Sequence, residues 1–129
     1  RRGFRAIKMK VGHPRLADDI ARVAAVRETI GPEIPLMVDA NAAYTLADAD
    51  HLAALDSHDL MMIEQPLDYD DLVQHSRLQR TVRTPICLDE SIHSVKAAAE
   101  AIELGACRII NIKPGRVGGH GESLRRTLL

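Results

Sequence analysis

Four short apolar runs in this chain each close on a charged residue, and those residues recur at a nearly constant interval. Asp39 ends LMVD, Glu64 ends LMMIE, Asp89 ends ICLD and Lys113 ends RIINIK, at steps of 25, 25 and 24 residues. A strand, a helix and two short loops use about that much chain, so each charged residue holds the equivalent place, the C-terminal end of a strand in a βα unit. The architecture repeats while the sequence does not. A fifth run, AIKMKV at 6–11, precedes them, so the expected strands are 6–11, 36–39, 60–64, 86–89 and 108–113. Stretches of helical period fall between them at 18–30, 46–55, 70–82 and 94–104, with a last helix opening near Gly119. Gly31 and Gly105 read as helix stops, Thr45 and Ser94 as N-caps. Strands alternating with helices give an α/β chain with a parallel sheet: about five consecutive units of a (β/α) TIM-type barrel.

In such a barrel the C-terminal strand ends ring one mouth, and polar groups from distant parts of the chain converge there. Burying an ionised carboxylate costs on the order of several kcal/mol unless it is paired or bound to metal. Asp39 alone reads as a loop-start cap, and Glu64 before Gln65-Pro66 as a turn residue. Three carboxylates in consecutive units ask for a common partner. Oxygen ligands suit a hard cation, and with no His or Cys expected beside them, Mg²⁺ is favoured over zinc; Mn²⁺ or another divalent cation could replace it. Lys8 and Lys10 stand two apart on the first strand and so face the same side. Two ammonium groups near a metal lower each other's proton affinity, which can bring one to the neutral form of a general base. Lys113 lies four strands further round, so Lys10 and Lys113 are expected to face each other across the metal. A single strand-end lysine is more commonly a solvated surface group; the joint placement points to proton transfer.

Other features carry less. The six histidines (13, 51, 58, 75, 93, 120) show no ligand spacing and read as surface residues. Met61 and Met62 read as core. Gly115, Gly118, Gly119 and Gly121 read as a flexible turn that matches no dinucleotide or P-loop pattern. Lys+Arg total 17 against 18 Asp+Glu, interspersed along the chain, which gives a nucleic acid or an anionic membrane no electrostatic support. No apolar stretch approaches the roughly 18 residues of a membrane span. Cys87 and Cys107 sit in or beside apolar runs without CxxC spacing, as buried thiols of a reducing compartment do, and a cytoplasmic location is expected. The chain opens on Arg1, enters a strand at once and shows no signal peptide, as a piece of something longer would.

The stretches IKMK (7–10), VDANAAYT (38–45), IEQPL (63–67), PICLDESI (85–92) and NIKPGRVGG (111–119) resemble, in order, the barrel of the enolase superfamily. Within it the chain is most similar to the muconate-lactonizing group, on the side of N-acylamino acid racemase and o-succinylbenzoate synthase. That resemblance implies Asp39, Glu64 and Asp89 as Mg²⁺ ligands and Lys10 and Lys113 as the acid/base pair. It implies Lys8 as a support for Lys10 and the substrate carboxylate, and Asn41 as a residue steadying the ligands from behind. A proton alpha to a carboxylate would be removed to give an enediolate. Its return from the opposite face racemises, and loss of a β-hydroxyl dehydrates. Muconate cycloisomerase or dipeptide epimerase chemistry is the alternative, as is a barrel fragment without catalysis. The partner expected is a small-molecule carboxylate, and a homo-oligomer is expected of the full-length protein. A complete barrel of this kind has about 250 residues and a capping domain. Residues 1–129 therefore read as the central portion of the catalytic domain, lacking the remaining strands and the cap, and inactive in isolation.

Overall fold

The computed structural model describes residues 3–12 and 14–127. Five strands, β1 (Ile7–Lys10), β2 (Leu36–Asp39), β3 (Leu60–Glu64), β4 (Ile86–Leu88) and β5 (Ile109–Ile110), form one sheet in chain order, and every pair is parallel. The crossovers carry α1 (Leu16–Ile30), α2 (Ala49–Ala54) flanked by 3₁₀ turns at Leu46–Asp48 and Leu55–His58, α3 (Leu72–Thr81) and α4 (Val95–Leu104). After β5 come α5 (Pro114–Val117) and α6 (His120–Thr127). Sequential order and parallel pairing make this an open arc of the barrel expected from the spacing. No helix among the described residues is long and apolar enough to cross a membrane.

Local chemistry sets the helix ends. Asp18 and Asp19 lie in the first turn of α1, where the helix dipole favours negative charge, and Gly31 stops the helix with its N–H on the Arg27 carbonyl. Ser94 caps α4 by accepting from the Ala97 N–H, and Gly105 closes it in the left-handed conformation. Thr45 heads its 3₁₀ turn, donating both its N–H and its hydroxyl to Asp48. The fifth strand is shorter than the apolar run suggested. It ends at Ile110, and Lys113 lies beyond it at the head of α5. Pro114 has no N–H for a ladder and is suited to the first helical turn, so the chain turns into a helix. The expected glycine turn is likewise mostly helix: Gly115 lies inside α5, Gly118 ends it in the left-handed region, and Gly121 belongs to α6.

The sheet divides its residues by parity. Leu36, Val38, Ile63, Ile86 and Leu88 pack with Val23 of α1, Leu52 of α2, Leu78 of α3 and Ala98 of α4, all buried. Each large side chain taken from water in this layer contributes about 1.5–3 kcal/mol. The register sets Lys8 beside Met37 and Met62, and Lys10 beside Asp39, Glu64 and Cys87. Side chains alternate along a strand, so the face opposite the helices carries the charges. Met62 is only partly buried, and Met61, expected in the core, is 52% exposed at the strand's beginning.

Two close contacts hold the loops leaving these strands. His75, expected at the surface, is fully buried; its Nε2 accepts the Leu67 N–H at 3.2 Å while Nδ1 lies 2.8 Å from the Asp71 carbonyl. The ring is therefore the neutral Nδ1–H tautomer, tying α3 to the loop after β3. His51 and His58 are partly buried and His93 and His120 exposed; His13 lies outside the described residues. Gly12, two residues past Lys10, has φ +102°, and a Cβ there would lie 2.5 Å from that of Ala43. Only glycine lets the loops after β1 and β2 approach so closely.

Two measurements check this packing. Gly12→Ala should cost about 2–4 kcal/mol in denaturant unfolding, from left-handed strain and overpacking. Burial depresses the His75 pKa below 6.5, against the opposing pull of Asp71, so the folded state excludes a proton that the unfolded state accepts. Stability is therefore complete above about pH 6.5 and declines as pH falls below it. His75→Leu should lose roughly 1–3 kcal/mol at neutral pH, by orphaning the Leu67 N–H, and show a shallower acid slope.

Candidate active site

Lys10, Asp39 and Glu64 occupy one row across the C-terminal end of β1, β2 and β3. On β4 that row meets Cys87, so Asp89 stands two residues beyond it, and the row meets β5 at Ile109. The even spacing in sequence thus conceals a climb: strand ends step upward around the arc, the stagger that a barrel requires. By the same parity Asn111, two residues past Ile109, joins the charged face.

All three carboxylates are buried, with residue exposures of 4% for Asp39, 1% for Glu64 and 1% for Asp89. Each has a cationic partner. Lys8 Nζ lies 2.6 Å from Glu64 Oε2 and 3.7 Å from Asp39 Oδ2, and Lys10 Nζ lies 2.7 Å from Asp39 Oδ2. Lys10 also donates to Asn41 Oδ1, while Asn41 Nδ2 donates to Glu90 at 3.0 Å. Lys113 Nζ contacts Asp89 Oδ2 at 2.5 Å, and Arg116 contacts Asp89 Oδ1 at 2.8 Å. Asn111 Nδ2 donates to Glu64 Oε1 at 3.1 Å, drawing the two halves together. Lys8, Lys10, Asp39, Glu64 and Asn41 form one network; Asp89 and Lys113 form another with Arg116. Among the described residues no three acidic, His or Cys side chains are grouped at ligating distance. The Lys8 ammonium stands between Glu64 and Asp39.

The electrostatics follow from these contacts. The hydrogen bond to Glu64 outweighs burial and holds the Lys8 ammonium above its usual 10.5. Lys8 therefore does not show the depression expected from a neighbouring lysine, because Glu64 Oε2 lies 2.6 Å from its Nζ. Burial pushes Asp89 upward, but its bonds to Arg116 and Lys113 prevail and leave it below the usual 3.8. Cys87 also corrects the expectation that no cysteine lies near the carboxylates, being the register partner of Glu64. Burial first, then the Glu64 charge, pushes its thiol up to about 12. The oxygen donor set still fits a hard divalent cation, provided the ammonium groups give way.

Sequence reasoning passed over Asn111, Arg116 and Gln65. Asn111 stands two residues before Lys113, where the strand alternation that linked Lys8 to Lys10 would have found it. Arg116 and Gln65 act through a helix start and a left-handed turn, which no periodicity marks.

Comparison with known proteins places the chain in a family. The model of the family "Enolase C-terminal domain-like" matches residues 1–129. Over 123 residues the chain is 57% identical to o-succinylbenzoate synthase of Geobacillus stearothermophilus, covering 95% of this chain and 32% of that protein. It is 54% identical to N-succinylamino acid racemase of Amycolatopsis sp., covering 95% and 33%. A racemase from Streptomyces coelicolor A3(2), crystallised with bound magnesium, superposes with a TM-score of 0.93 at 38% identity, over 98% of this chain and 38% of that one. The chain spans about a third of the length of the relatives it matches. By its matched length, its parallel βα order and its similarity to these enzymes, the chain belongs to the enolase C-terminal domain-like family.

Proposed function

We propose that this chain supplies the metal-binding and proton-transfer groups of an enzyme that removes a proton alpha to a carboxylate, as an o-succinylbenzoate synthase, an N-succinylamino acid racemase, or both. The observation that carries this reading is the placement of three buried carboxylates on one sheet end, with Lys8 and Lys10 at one side and Lys113 at the other. The relatives' names supply the two reactions. Strands and a cap outside residues 1–129 would complete the barrel and select the substrate, a small-molecule carboxylate.

Asp39, Glu64 and Asp89 would hold Mg²⁺. Bound there, it would supply a Lewis acid for the negative charge that develops on the substrate carboxylate, a contribution of several kcal/mol. Lys10 and Lys113 would each hold or move the proton on one face of the substrate. Both now sit in ion pairs, and the one that acts as base must leave its carboxylate and give up a proton before its Nζ can accept one from the substrate, while the other, as ammonium, can donate. Their side chains are 64% and 50% exposed, so neither is locked in place. Asn41 Oδ1 would orient the Lys10 ammonium, and Lys8 would keep positive charge beside Glu64 and the incoming carboxylate.

Solvent-deuterium exchange and turnover test this in the intact protein, with an N-succinylamino acid and with the hydroxy-acid precursor of o-succinylbenzoate as substrates. Lys10→Ala and Lys113→Ala should each abolish racemisation, a loss of at least about 10²–10⁴-fold, while either variant retains exchange on one enantiomer. In a synthase one lysine can serve both proton steps, so residual exchange tells the two reactions apart. EDTA should remove turnover and Mg²⁺ restore it. Full activity in both alanine variants, or turnover insensitive to chelation, contradicts the reading.

A further inference from the structure

Asp89 has left the ladder of β4, which ends at Leu88, so its N–H has no strand partner. A side chain supplies one. Gln65 Oε1 accepts the Asp89 N–H at 3.0 Å and the Ser91 N–H at 3.2 Å, and Gln65 Nε2 donates to Ser91 Oγ at 2.8 Å and the Leu67 carbonyl at 3.1 Å. The amide of a glutamine offers two donors and two lone pairs, and all four are used here. The residue is fully buried and directly follows Glu64. Its backbone extends the same junction: the Gln65 N–H reaches the Cys87 carbonyl at 2.8 Å, and its own carbonyl accepts the Ala42 N–H at 2.8 Å. One residue thus joins the loops leaving β2, β3 and β4, the three that follow Asp39, Glu64 and Asp89.

The backbone conformation makes the point sharper. Gln65 has φ +39°, a region where a residue with a Cβ costs about 1–3 kcal/mol and glycine costs nothing. Backbone conformation alone would favour glycine at such a turn. The side chain offsets that strain with four buried hydrogen bonds, each carrying a desolvation penalty if left unmade.

We propose that Gln65 is a positioning residue that fixes Asp89 relative to Glu64, and thereby sets the affinity of the site for a divalent cation. This rests on the reading of Asp39, Glu64 and Asp89 as cation ligands. All four positions of the Gln65 amide are taken by protein groups, so it would act on the ion only through Asp89. It holds the Asp89 N–H, while Lys113 and Arg116 engage the carboxylate and Arg116 also donates to the Asp89 carbonyl. Partners of this kind, one shell removed from a metal, change affinity by roughly 10–100-fold when lost.

The test uses the intact protein, with Mg²⁺ titrated calorimetrically, melting recorded without Mg²⁺, and kcat and KM measured over a Mg²⁺ series. Gln65→Met keeps the length and removes all four bonds. Gln65→Asn keeps the amide but is too short to reach Asp89, and serves as the second variant if Gln65→Met does not fold. Ser91→Ala removes one bond and leaves the one to Asp89. Gln65→Met or Gln65→Asn should weaken Mg²⁺ binding roughly 10–100-fold, with kcat recovering at high Mg²⁺, while Ser91→Ala stays within about twofold. Folded Gln65 variants that melt lower but bind Mg²⁺ as wild type does would overturn the proposal, leaving Gln65 a packing residue. So would a Ser91→Ala loss equal to that of the Gln65 variants. A wild-type protein that binds no Mg²⁺ overturns the ligand reading itself, and this proposal with it, and is distinguished because the failure precedes any substitution.

Discussion

Three carboxylates buried at the ends of adjacent parallel strands are the constraint to which the surrounding structure responds. A charge held at a few per cent exposure without a partner is too costly for a fold whose net stability is about 5–15 kcal/mol. The chain therefore brings cations from both ends of the sheet, Lys8 and Lys10 from β1, Lys113 and Arg116 from the segment after β5. It adds the Asn111 amide on Glu64. The lysines neutralise without being buried themselves, with side chains 40%, 64% and 50% exposed. Water screens such pairs and weakens them, so a divalent ion with higher charge and several ligands can compete for the same oxygens.

Division of labour between the two faces of the sheet makes this affordable. The helix-facing side is aliphatic and carries the stability, while the other side carries the charged groups of the candidate site. Strain concentrates where the faces meet the loops. Asn41, Ala42 and Gln65 all have positive φ without being glycine. Ala42 N–H to Gln65 O and Tyr44 N–H to Pro66 O cross-brace these turns. Below them the Tyr44 hydroxyl donates to buried Asp19 at 2.8 Å, and the Gly12 N–H reaches the same carboxylate oxygen at 2.9 Å. Burial, and then the Asp19 bond, raises the Tyr44 pKa well above its usual 10.0, so the phenol stays a donor.

Much of the arrangement was legible in the sequence because it depends on periods. An interval near 25 residues located the strand ends, and the two-residue alternation put Lys8 and Lys10 on one side. The same interval hid the stagger, since Glu64 pairs with Cys87 and leaves Asp89 further up. That offset depends on hydrogen-bond register, which spacing does not encode. The burial of His75 is not legible because a histidine in an amphipathic stretch looks like any polar residue, and its tie to the loop after β3, through the Leu67 N–H, is a tertiary contact. Gln65 was passed over as part of a turn, and Arg116 as part of a glycine-rich segment. Their roles depend on a left-handed backbone and on a short helix started by Pro114, features set by tertiary contact.

The account's central claim is that the three carboxylates exchange their lysine partners for one shared cation. Anomalous diffraction from crystals of the intact protein soaked in Mn²⁺ tests it most directly. A single strong peak bonded to Asp39, Glu64 and Asp89, with the ammonium groups of Lys8, Lys10 and Lys113 withdrawn from those oxygens, is the predicted result. A peak that omits any of the three carboxylates, or no peak at saturating Mn²⁺ with all the lysine ion pairs intact, would contradict it.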